Sequence, residues 1–142
     1  IAWFGIDPVD NQFGMTPTIY ARTDLPGLAI PTSFLGGQVA SNCAPTADSY
    51  PTLYPLAPSP SALIVGQNAG HVEFELQSAC LDCALCTPAG TADPDVVLAY
   101  AVRYTTAFFA RELLGDSSVG ATFDGAGGQS DVAAGLVTIT SK

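Results

Sequence analysis

Ser61-Ala62-Leu63-Ile64-Val65-Gly66 is a short apolar run, and Ala69-Gly70-His71-Val72-Glu73-Phe74 follows it with the single histidine of the chain. An unbroken apolar run bounded by turn-forming residues reads as a strand buried on both faces, the kind found inside a parallel sheet. A glycine-flanked imidazole at its exit lies where such sheets present functional groups, beyond the carboxyl ends of the strands. Upstream, Ile1-Ala2-Trp3-Phe4-Gly5-Ile6 has the same character and runs into Asp7-Pro8-Val9-Asp10, which offers a carboxylate at a second strand end. Residues 28–35 read as another strand, with Pro31 near its start and Gly36-Gly37 ending it in a backbone turn.

After the histidine, the pattern changes to helical. Asp93 supplies an N-terminal cap and Pro94 a first-turn proline. Val97, Tyr100, Ala101, Tyr104, Phe108, Ala110 and Leu114 then recur at three- and four-residue intervals, which predicts one buried face over residues 94–114, closed by Gly115. The fold expected is α/β, about three parallel strands with a long C-terminal helix. Residues 9–26 and 38–60 are punctuated by proline and read as loops. Residues 73–85 read as a short, irregular, cross-linked segment, and residues 116–142 as a glycine-rich extension with 136–140 available as an edge strand.

Composition narrows the function classes. A hydrophobic content of 48% in 142 residues is enough for an ordered core. Acidic residues outnumber basic ones 13 to 4, and only Arg22, Arg103, Arg111 and Lys142 are available to meet phosphates. That argues against a nucleic-acid or anionic-membrane partner. No apolar run approaches the ~18 residues of a membrane span. Residue 1 begins what reads as the middle of a buried strand, from which a fragment or a cleaved chain is expected.

The cysteines are Cys43 and, at three-residue spacing, Cys80, Cys83 and Cys86. An even count in a chain poor in lysine favours two disulfides, with three connectivities open, and a secreted or periplasmic location. The spacing also resembles part of an iron–sulfur run, but no Cys-Pro completes it. A structural zinc site would need the histidine, which has another candidate role.

That role is catalytic. A hydrolytic triad needs an imidazole whose far nitrogen is held by a buried carboxylate, so that tautomer and developing charge are both controlled. Asp7 and His71 stand at two strand ends and in the chain order acid, then base. Asp10 and Asp48 are the competing carboxylates. The nucleophile is missing: no Gly-x-Ser-x-Gly occurs, and every serine has turn-like or polar surroundings.

Gly5-Ile6-Asp7-Pro8-Val9-Asp10, Ile30-Pro31-Thr32-Ser33-Phe34-Leu35-Gly36-Gly37, Asn42-Cys43-Ala44-Pro45, Ala69-Gly70-His71-Val72-Glu73-Phe74 and Arg103-Tyr104-Thr105-Thr106-Ala107-Phe108-Phe109 together resemble the C-terminal half of an α/β-hydrolase. The likeness is to its chlorophyllase, dienelactone-hydrolase-like and platelet-activating-factor-acetylhydrolase-like serine esterases, and it covers residues 1–115. The resemblance implies that Asp7 is the triad acid and His71 the base, and that the serine lies on an N-terminal part of the same hydrolase, outside this chain. It implies a small ester or lipid-like substrate and no cofactor. Phe13, Met15, Tyr20, Tyr50, Leu53 and Tyr54, in the loops over the strand ends, are then candidates to line an acyl pocket. A bridge from Cys43 to the Cys80–Cys86 segment would hold the loop carrying the base. The alternative is a non-catalytic secreted binding or structural module, stabilised by calcium through Asp116, Asp124 and Asp131 of the tail, although their spacing is unlike an EF-hand loop.

Overall fold

The computed structural model describes residues 1–10, 21–75, 83–123 and 126–142. A four-stranded mixed sheet runs through them in the order β1 (Trp3–Ile6), β2 (Thr32–Val39), β3 (Ser61–Gly70), β4 (Val137–Ser141). The first three strands are parallel, and β4 is antiparallel to β3. The helices are α1 (Ala21–Asp24), α2 (Tyr50–Leu53), α3 (Pro94–Leu114) and α4 (Ala126–Ala133). The α/β class and the parallel strands expected from sequence are therefore present.

Side chains alternate across β2 and build two cores. Leu35 faces α3 and packs with Ile64, Val97, Tyr100, Tyr104 and Phe108. Its neighbour Phe34 points the other way, to Leu25, Tyr50, Leu53, Tyr54 and Ala57. Burial on both faces holds for β2, whereas β1, expected from its apolar run to be equally buried, forms one edge of the described sheet, with Ile1 ahead of it and Ile6 at its end exposed.

Helix α3 has the bounds its sequence predicts. The Asp93 carboxylate accepts the Asp95 N–H at 2.9 Å, and Gly115 closes the helix at φ 69°, in the left-handed region. Ala107 joins the buried face, whereas Leu114, in the last turn, is exposed.

Two expectations about the strands need correction. Gly36-Gly37 does not end β2 in a turn, because both glycines lie inside the strand. They are there for close approach: a β-carbon at Gly36 would overlap the Tyr50 ring, and one at Gly37 would lie 2.7 Å from the Ala69 carbonyl oxygen. Strand β3 continues past the apolar run to Gly70, so His71 follows it directly, with Asn68 at φ 57° marking an irregularity before Gly70. The glycine-rich tail contains a 3-10 turn over Ser117–Thr122 and helix α4. Phe123 and Val137 of this tail are buried in the α3-side core, and β4 covers the flank of β3. Phe123 and Val137 thus share a core with Leu35, Ile64 and Tyr104.

Candidate active site

Parallel alignment of β1, β2 and β3 brings their carboxyl ends to one edge, and the histidine and its carboxylate meet there. Asp7 directly follows β1 and is 4% exposed. Its N–H donates to the Leu35 carbonyl at 2.6 Å, and its backbone sits at φ 38°. Aspartate is among the few residues other than glycine that tolerate this region. His71 follows Gly70, the last residue of β3, and opens a 3-10 turn over His71–Phe74.

Nδ1–H of His71 donates to Oδ2 of Asp7 at 2.7 Å. The other carboxylate oxygen, Oδ1, accepts the N–H of Gly37 at 3.0 Å. Both oxygens are therefore engaged, as a buried carboxylate requires. The hydrogen bond to Asp7 raises the pKa of His71 above its ordinary 6.5; burial opposes this, and the negative charges of Asp7 and Glu75 add to it. With Nδ1 committed to Asp7, Nε2 is the nitrogen left to exchange a proton, on a side chain that is 27% exposed.

Gly37 is held in turn by Tyr50, whose hydroxyl donates to the Gly37 carbonyl at 3.0 Å while its ring lies against Gly36. Burial, with the nearby Asp7 charge, pushes the Tyr50 phenol up to about 12, so it stays a donor. Local sequence gave no sign of this clamp, because the link from Tyr50 through Gly37 to Asp7 depends on the register of β2.

The competing acids are occupied elsewhere. Asp10 accepts from Arg22 Nε at 2.8 Å and from the N–H groups of Ala21 and Arg22, and Asp48 accepts from Arg22 Nη2 at 2.7 Å. Burial raises the Asp10 pKa, but the hydrogen bonds and charge of Arg22 together bring it below the usual carboxylate value.

Three of the pocket candidates lie among the described residues. Tyr50 borders a cavity of about 20 Å³ beside Asp7, room for one water molecule. Tyr54 is buried edge-on against Phe34, and its hydroxyl donates to the Thr140 carbonyl at 3.3 Å. Leu53 is buried in the same core. Phe13, Met15 and Tyr20 lie outside the described residues.

A disulfide joins Cys43 to Cys86. Asn42 reinforces it: its side-chain amide donates to the Leu85 carbonyl at 2.9 Å and accepts the Thr87 N–H at 2.7 Å. Cys80 and the side chain of Cys83 lie outside the described residues. Of the calcium candidates, Asp116 caps the Ser117–Thr122 turn and Asp131 is held by Arg103 and by the Tyr104 hydroxyl. Asp124 lies outside the described residues. Among those residues, no group of three or more His, Cys, Asp or Glu side chains is placed to hold a metal ion. No helix among them is long and apolar enough to cross a membrane.

Chemically, a buried carboxylate holding one nitrogen of a part-exposed imidazole makes a proton acceptor and donor of the other. Among the described residues no serine, threonine or cysteine side chain hydrogen-bonds the ring. In comparisons with known proteins, the chain matches no family model and no curated relative.

Proposed function

We propose that Asp7 and His71 are the acid and base of a serine-hydrolase triad in a carboxylic-ester hydrolase of the α/β-hydrolase type, completed by a serine from polypeptide outside these 142 residues. The observation that carries this reading is the 2.7 Å contact between His71 Nδ1 and a buried Asp7 carboxylate whose second oxygen is held by a backbone N–H. Its position at the carboxyl ends of two strands in a parallel array, with the acid preceding the base, supports it further.

In this mechanism the serine hydroxyl attacks the ester carbonyl carbon while Nε2 of His71 takes its proton. Asp7 stabilises the imidazolium without itself becoming protonated. Collapse of the tetrahedral intermediate transfers the proton to the departing alcohol and leaves an acyl-serine. Water, deprotonated by the same nitrogen, then releases the acid. The Cys43–Cys86 bridge supports an oxidising compartment, secreted or periplasmic.

The test is active-site labelling of the native polypeptide that contains these residues. A fluorophosphonate should modify one serine outside residues 1–142, and His71→Ala should abolish both that labelling and the hydrolysis of p-nitrophenyl esters. Labelling that persists undiminished in His71→Ala would sink the proposal.

A further inference from the structure

Glu73 is a carboxylate that the triad does not use, yet it is only 5% exposed. Burying a charge is costly unless hydrogen bonds replace its water. Here Oε2 accepts the Gly70 N–H at 2.6 Å and the Gly90 N–H at 3.1 Å. The first bond reaches back to the residue that precedes the His71–Phe74 turn, as the glutamate of a capping box does. The second ties in a separate segment, which Thr91 and Ala92 fasten to the Asn68 carbonyl at 2.7 and 3.0 Å.

Two backbone N–H groups from separate segments therefore converge on one oxygen, and the segments pack too closely for side chains. A β-carbon at Gly90 would lie 2.5 Å from Oε2 and 2.5 Å from the Gly70 nitrogen. On its other side, Gly70 pairs with Val39 in β2, and Gly37 lies against the Ala69 and Gly70 backbone. The same Gly37 donates to Asp7. The peptide that launches His71 is thus held between the group that fixes the acid and the Glu73 carboxylate.

We propose that Glu73 is a positioning residue for His71: by fixing the Gly70 and Gly90 N–H groups, its carboxylate sets the turn that aims Nδ1 at Asp7. This rests on the reading of Asp7 and His71 as a catalytic pair. Glu73 touches neither substrate nor reacting atoms and acts through the direction of the imidazole. The charged groups acting on the ring are Asp7, from the end of β1, and Glu75, from the residue after its own turn, and neither is altered by changing Glu73.

In the native polypeptide that contains these residues, the His71 imidazole is assigned in a long-range 1H–15N spectrum by the signals lost in His71→Gln. The test compares the His71 titration and the Nδ1–H resonance in the unmodified chain, E73Q, E73D and E73A. The unmodified chain should titrate above 6.5 and show a protected Nδ1–H. E73A should shift the titration down toward 6.5 and lose the protected proton, while E73Q, whose amide oxygen still accepts both N–H groups, should retain both signals. E73D keeps the charge but withdraws the oxygen, so it should resemble E73A, and it decides the matter where E73A fails to fold. Unchanged titration in folded E73A or E73D would overturn the positioning role while leaving the catalytic pair intact. An ordinary titration with no protected proton in the unmodified chain would instead overturn the pair itself.

Discussion

Asp7 has two hydrogen-bonding tasks, and a single substitution separates them. In Asp7→Asn the amide oxygen can still accept the Gly37 N–H, but the charge facing His71 is gone. Burial, which pushes the imidazole pKa down, is then no longer offset by the carboxylate. His71 should titrate lower in this variant than in the unmodified chain, and an NMR titration of the ring would show it. The same coupling gives a pH dependence of stability. Because the folded pKa is raised, protonated His71 contributes stability that is fully present below the unfolded value of 6.5 and is lost as pH rises through the folded value. Melting curves from about pH 5 to about pH 9 should show the advantage of the unmodified chain over His71→Gln shrinking in that direction. The pairing of Asp7 with His71 was suggested by the sequence because each lies beyond an apolar run that reads as a strand. Gly37, Tyr50 and Glu73 were not, since a backbone donor, a core phenol and a buried carboxylate are assigned their partners by tertiary contacts.

Among the elements, α3 was the most legible, because its cap, first-turn proline, apolar spacing and terminal glycine all agree. The end of β2 was misread for a physical reason. A Gly-Gly pair permits a turn, but it equally permits another group to lie on the backbone, and only the packed ring of Tyr50 distinguishes the two. Helix α4 was hidden by Gly127 and Gly128, which are poor helix formers. Gly128 earns its place because a β-carbon there would overlap the Phe123 carbonyl oxygen. Gly36→Ala should therefore destabilise the fold by about 1–3 kcal/mol through overpacking. Gly27→Ala, where no atom lies within 4 Å of the added carbon, should fall within about 0.5 kcal/mol of neutral. Urea denaturation of both would check the contrast, and equal losses would refute it.

For the molecule as a whole, the Cys43–Cys86 bridge closes a loop with a sequence separation of 43 that includes all of β3 and the histidine turn. Loop-closure entropy for that length gives a stabilisation of about 4 kcal/mol, within a usual range of about 2–4 kcal/mol. The double variant C43S/C86S should lose an amount of this order in equilibrium denaturation, and no loss would mean that other contacts already restrain the loop. Cysteine counting pointed to a disulfide but left the partners open, because pairing depends on which loops the fold brings together. The tail was read as an extension for a similar reason: local composition does not reveal that Phe123 and Val137 complete a distant core.

The left-handed backbone at Asp7 also restricts which acid this position accepts. Aspartate and asparagine tolerate such a conformation far better than glutamate, whose extra methylene would in addition carry its carboxylate past the Gly37 N–H. Glutamate could supply the same charge, yet Asp7→Glu should cost stability and misplace the oxygen that holds His71. At this position, chain geometry selects the length of the acid before chemistry selects its charge.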